Sequence, residues 1–116
     1  MDKYTQQYLE TALWSSTDYD GTPLDRKYSI DDLTIETVEQ AKRDVLKFLD
    51  QAGELLDNYD DETAMHDFWL TRNRHGAGFW DGDYEKSIGE ELTKLAHSFG
   101  EINLYVGDDG KIYGDI

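Results

Sequence analysis

Residues 66–83 read HDFWLTRNRHGAGFWDGD. The start of this stretch decides the fold. In MHDFWLTRN, 65–73, His66, Phe68 and Leu70 alternate with Asp67, Trp69 and Thr71. A period of two in an aromatic-rich run predicts a strand. RNRHGAG, 72–78, then reads as a turn, and FWD, 79–81, as a short return strand. A helix ending near Asp67 is the competing reading. The middle of the stretch, Thr71 to Trp80, carries Arg72, Arg74 and His75 and no acidic residue, in a chain of 26 acids, 11 bases and formal net charge -15.

Downstream, Ser87 with Glu90 three residues later forms a capping-box pattern. Ile88, Leu92, Leu95, Ala96 and Phe99 make one apolar helix face, and Gly100 suits the position just past the helix end. INLYVGDDGKIYGDI, 102–116, predicts a hairpin: Ile102, Leu104 and Val106 alternate, Gly107 to Gly110 turn, and Ile112 lies in the return strand.

Upstream, TIETVEQAKRDVLKFLDQAGELLDN, 34–58, is the strongest helix signal. Val38, Ala41, Val45, Leu49, Ala52 and Leu56 recur at spacings of three and four. Thr34 suits the N-cap and Glu36 the first turn. The opposite face carries acids interrupted by Arg43 and Lys47. DNYDDET, 57–63, reads as an acidic turn, and SSTDYDGTPLDRKYS, 15–29, as a loop. YTQQYLETALW, 4–14, puts Tyr4, Tyr8, Leu9, Ala12 and Leu13 on one face of a first helix. The expected architecture is a single α+β domain over 1–116, with about three helices packed on a small antiparallel sheet built from two short hairpins.

Composition narrows the function. The 116 residues include 8 Tyr, 4 Phe and 3 Trp, too many rings for a disordered acidic tail. Without cysteine there is no disulfide, thiolate nucleophile or cysteine zinc site. No basic segment precedes an apolar run at the N-terminus and no run reaches membrane-span length, so a cytoplasmic protein is expected. The net charge repels nucleic acid and anionic membrane and suits a basic partner.

The basic island admits two readings. Gly76 and Gly78 permit close backbone approach, and with Arg72 and His75 they suggest an anion-binding loop. Alternatively, the glycines make a turn and the arginines balance nearby carboxylates. The island matches neither a Walker motif nor a dinucleotide fingerprint, so no cofactor is assigned. Trp69 and Trp80 are either outward recognition rings or packing residues. His66, His75, Asp67 and Asp81 are acceptable ligand types at spacings that match no metal motif, and no metal is assigned. No serine sits in a nucleophile elbow, and nothing argues for catalysis.

HDFWLTRNRHGAGFWDGDY, with LWSSTDYDGTPLDRKYSIDDL before it and FGEINLYVGDDGKIY after, resembles a family of small acidic proteins encoded by bacteriophages and prophages. The resemblance covers nearly the whole chain. It implies a genomic setting and no established activity. Arg74 departs from the pattern, which has glycine before the histidine.

That setting implies an accessory protein in the infected bacterial cytoplasm that binds a host protein with a basic surface, without binding nucleic acid itself. Acids every three or four residues on a helix stand about 5–6 Å apart, against one charge per about 1.7 Å of DNA axis. Asp50, Glu54 and Asp57, continuing to Asp60, Asp61 and Glu62, form such a row, interrupted upstream by Arg43 and Lys47. A partial imitation of DNA is therefore one expectation, with Trp69, Arg72, His75 and Trp80 as local contacts. A small anion- or ligand-binding module centred on Arg72, His75, Gly76 and Gly78 is the alternative.

Overall fold

The computed structural model describes residues 1–115, and it is α+β. Four α-helices lie among them: α1 (Lys3–Ser15), α2 (Ile35–Ala52), α3 (Asp61–Arg72) and α4 (Lys86–Ser98). Two strands, β1 (Asn103–Val106) and β2 (Ile112–Asp115), pair antiparallel with Tyr105 opposite Tyr113. Among the described residues no helix is long and apolar enough to cross a membrane.

The stretch expected to form the first hairpin is instead α3, followed by an irregular loop, so there is one hairpin and a fourth helix. Asp60 starts α3 by accepting from the Thr63 N–H (2.9 Å) and hydroxyl (2.8 Å). Ala64, Met65, Phe68, Trp69 and Leu70 are all buried, as are Asp67, Thr71 and Arg72. A helix covered on nearly every side has no polar face and loses its 3.6-residue signature.

The other helices follow their caps and apolar faces more closely. Thr34 caps α2 by accepting from the Thr37 N–H. The helix stops at Ala52, short of the expected Asn58, and a 3₁₀ turn, Gly53–Leu56, continues the chain, with Gly53 at φ +46°. The buried stripe of α2 is Thr37, Ala41, Val45, Phe48 and Ala52, while Val38 and Leu49 lie only half-buried at its edge. The Ser87 capping box does not form: Glu85 holds the N-cap position of α4 without a side-chain cap bond. Gly100 occupies its expected place after α4 at φ +77°.

The centre of the core lies among the helices, and the hairpin adds buried Leu104 and Ile112 to it. Tyr8 of α1, Phe48 of α2, Phe68 of α3, Phe79 of the loop and Leu92 of α4 are fully buried. The hairpin docks at the start of α2, where the Gly114 N–H donates to Thr37 Oγ1 (2.9 Å) and the Thr34 N–H to the Ile112 carbonyl (3.0 Å).

Candidate functional site

Arg72, expected at an anion loop, points inward. Its Nε donates to the Gly100 carbonyl (2.9 Å), Nη2 to the Phe99 carbonyl (3.0 Å), and Nη1 to both Tyr8 Oη (2.9 Å) and Asp44 Oδ2 (2.8 Å). The guanidinium also lies 5.7 Å from the Phe68 and Phe99 ring centres. The planar fork matches acceptors fixed in several directions, and the cation sits just past the C-terminal end of α4, the negative end of its dipole. Burial raises the Tyr8 phenol above the ordinary tyrosine range, and the positive charge of Arg72 opposes that rise. The charge partner of Arg72 is thus interior, and the residue is unavailable to an external ligand.

The chain after Arg72 forms a Schellman ending. The Arg74 N–H donates to the Thr71 carbonyl (3.0 Å) and the His75 N–H to the Leu70 carbonyl (2.9 Å). This device needs a left-handed residue, usually glycine, and Arg74 fills it at φ +58°. The conformation costs an L-residue about 1–2 kcal/mol, while glycine loses about 0.5–1 kcal/mol more backbone freedom on folding. Arg74→Gly is therefore expected to stabilise the protein by about 0.5–1 kcal/mol, seen as a higher urea midpoint at unchanged slope. A lower midpoint would mean that the arginine side chain contributes more than its backbone strain removes.

Other donors of the island are also engaged. The Gly78 N–H donates to Asp81 Oδ2 (3.2 Å) and the Phe79 N–H to Thr71 Oγ1 (3.0 Å). Gly78 is buried against Thr71 with no room for a Cβ. Gly76 is exposed. With Arg72 inside and these N–H groups occupied, the loop lacks the preorganised cradle that an anion site requires.

The two tryptophans separate. Trp69 is buried and its Nε1 donates to Ser15 Oγ (2.8 Å), whereas Trp80 is 57% exposed. His75 is half-buried beside a cleft of about 350 Å³ shared with Ser15, Asn73 and Glu101. Asn73 is already committed there, donating to the Trp69 carbonyl (3.0 Å) and accepting from the Ile102 N–H (2.8 Å).

His66 belongs to a different cluster. Its Nδ1 lies 3.0 Å from Asp67 Oδ1, and its ring stacks on Trp14 at 5.7 Å. Tyr84 donates to the other oxygen of buried Asp67 (2.7 Å). Burial, and then this bond to the carboxylate, raise the Tyr84 phenol above its ordinary range. The spacing of these residues gave no sign of the Asp67–Tyr84 bond. Among the described residues, no three His, Asp or Glu side chains are grouped to hold a metal ion.

The acidic row lies at the corner between α2 and α3. Asp50, Glu54, Asp57 and Asp60 are exposed, and Asp61 and Glu62 are half-buried; Glu62 leaves the free row because it pairs with Lys3 at 3.6 Å. Among the described residues none of the other five has a basic nitrogen within the 4.0 Å of an ion pair; the remaining pairs are Lys27 with Asp18 and Asp20, His66–Asp67 and Arg72–Asp44. The bond from the Thr63 N–H lowers the Asp60 carboxyl below its usual range, burial opposing, so its charge is secure at neutral pH. The break at Gly53 takes the row off one helix axis, so the regular spacing of a straight helix does not extend along it. No family model, curated protein or solved structure matches the chain.

Proposed function

We propose that the protein is a non-catalytic binding protein that engages a basic protein surface through the corner formed by Asp50, Glu54, Asp57, Asp60 and Asp61. One observation carries this reading: these five carboxylates lie at the corner between α2 and α3, and among the described residues none has a basic nitrogen within 4.0 Å, the nearby Lys3 being paired with Glu62. A net charge of -15 extends the attraction beyond the corner and speeds encounter with a cationic partner. The resemblance to phage-encoded proteins makes a protein of the bacterial host the natural partner, including one that handles nucleic acid. Imitation of DNA would then lie in charge density, since the corner bends where a duplex would continue straight.

The test is capture from bacterial lysate with tagged protein, washed first at low and then at high salt, followed by affinity measurement on the partner identified. At about 1 M salt the screening length falls to about 3 Å. Binding should therefore weaken steeply, and the Asp50→Asn/Glu54→Gln/Asp57→Asn variant should bind more weakly at low salt while folding normally. A partner held equally at both salts, and equally by the triple variant, would end this reading.

A further inference from the structure

Trp80 is a large apolar side chain left in solvent, and its surroundings give it a use. It borders a cleft of about 490 Å³ together with Tyr84, Lys86, Gly89, Thr93 and Lys94, within the size range of small-molecule sites. The wall behind it is closely built. At Gly89 of α4 a Cβ would meet the Phe79 carbonyl at 2.6 Å, so only glycine lets the loop sit this close to the helix. Phe79 is clamped between Phe48 (5.6 Å) and Tyr84 (5.2 Å), and its N–H is held by Thr71. The indole of Trp80 therefore rises from a fixed backbone.

The lining of the cleft has more bases than acids, unlike the chain as a whole, although Asp81 and Asp83 flank Gly82. Lys86 and Lys94 border it, with Glu90 as the one acid, in a chain where 26 acids outnumber 11 bases. Among the described residues neither lysine pairs with a carboxylate within 4.0 Å, although Glu90 stands four residues from each. Eight residues apart on α4, the two lysines lie about 12 Å apart along the helix and bracket the cleft. Thr93 also lines the cleft, and its hydroxyl is buried without a hydrogen-bond partner. We infer that this cleft binds a small planar aromatic molecule carrying an anionic group, its ring against Trp80 and its anion at Lys86 or Lys94. The site is separate from the acidic corner, and either can fail without the other.

The test is a titration of ¹⁵N-labelled protein, following the indole N–H signals of its three tryptophans. The probes are indole-3-acetate and adenosine 5′-monophosphate, with indole, adenosine, acetate and inorganic phosphate as controls. A saturable shift of the Trp80 signal, with the buried Trp69 signal unmoved, is expected from at least one ring-bearing anion. That ligand should bind about tenfold or more tightly than its uncharged ring. Which of the two anions binds distinguishes an aromatic carboxylate from a nucleotide. Lys86→Gln/Lys94→Gln should erase the advantage over the uncharged ring, and Trp80→Ala should abolish binding, read for that variant from the backbone amide signals of Gly82 and Gly89, both with an unchanged far-UV spectrum. No Trp80 shift from either anion at about 10 mM, or undiminished binding to Trp80→Ala, would overturn the inference.

Discussion

Arg72→Ala should lower the stability of the protein by about 3–5 kcal/mol, because it strands a buried charge and several acceptors at once. Asp44 would keep its carboxylate in a site that is only 15% exposed, and the Phe99 and Gly100 carbonyls would lose their donors. Domains of this size have about 5–15 kcal/mol in total, so much of that reserve would go. Arg72→Lys should recover little, since an ammonium retains the charge but cannot reach a carboxylate, a phenol and two carbonyls with one planar group. Arg72→Met combined with Asp44→Leu should recover much of the loss, because an apolar pair leaves no unpaired charge behind. Urea unfolding of these variants decides the matter. A loss below about 1 kcal/mol for Arg72→Ala, the range of an exposed pair, would show that water enters and replaces the lost partners.

Phe48→Ala should cost about 3–5 kcal/mol, for a different reason. Its ring is fully buried and stacks on Phe68 at 4.1 Å and 14°, with Phe79 at 5.6 Å and Phe99 at 6.2 Å. Removing it opens a void between α2, α3, the loop and the end of α4, and surroundings pinned by Arg72 and Gly89 can collapse only partly. Phe48→Leu fills more of that volume and should be milder. If the two variants unfold at the same denaturant concentration, the site relaxes freely and the core is less tightly packed than these ring distances indicate.

Phe48 also marks where a sequence reading of the fold falls short. On α2 the repeat through Ala41, Val45 and Ala52 correctly identifies a buried stripe. Leu49 competes with Phe48 for the next place on it, and only tertiary packing assigns the aromatic ring to the interior. The ends of α2 and α4 were legible at Thr34 and Gly100 because a cap and a left-handed residue are local chemistry. The C-terminal hairpin was legible for the same reason. α3 was not, because eight of its residues are buried and their alternation mimics a strand. Its one local sign was Asp60 followed three residues later by Thr63, hidden within an acidic run. The candidate site divides along similar lines. Exposure of the acidic corner follows from its polarity, whereas the burial of Arg72 depends on Tyr8, Asp44, Phe99 and Gly100, none of them near it in the chain.

Those four partners make the domain hard to subdivide. Tyr8 is 64 residues from Arg72 in sequence, Asp44 and Gly100 are 28, and Phe99 is 27. A fragment lacking α1, α2 or the end of α4 keeps a guanidinium designed for acceptors that are gone, and would carry an unpaired cation into its own interior. The helices therefore have no sequential order in which each is stable before the next arrives. Assembly must close long loops before the central charge is satisfied, which favours one cooperative transition over stepwise accretion. A chain cut at residue 85 and supplied as two pieces should regain structure only when both are present, each acting as the missing half of the other's hydrogen-bond network.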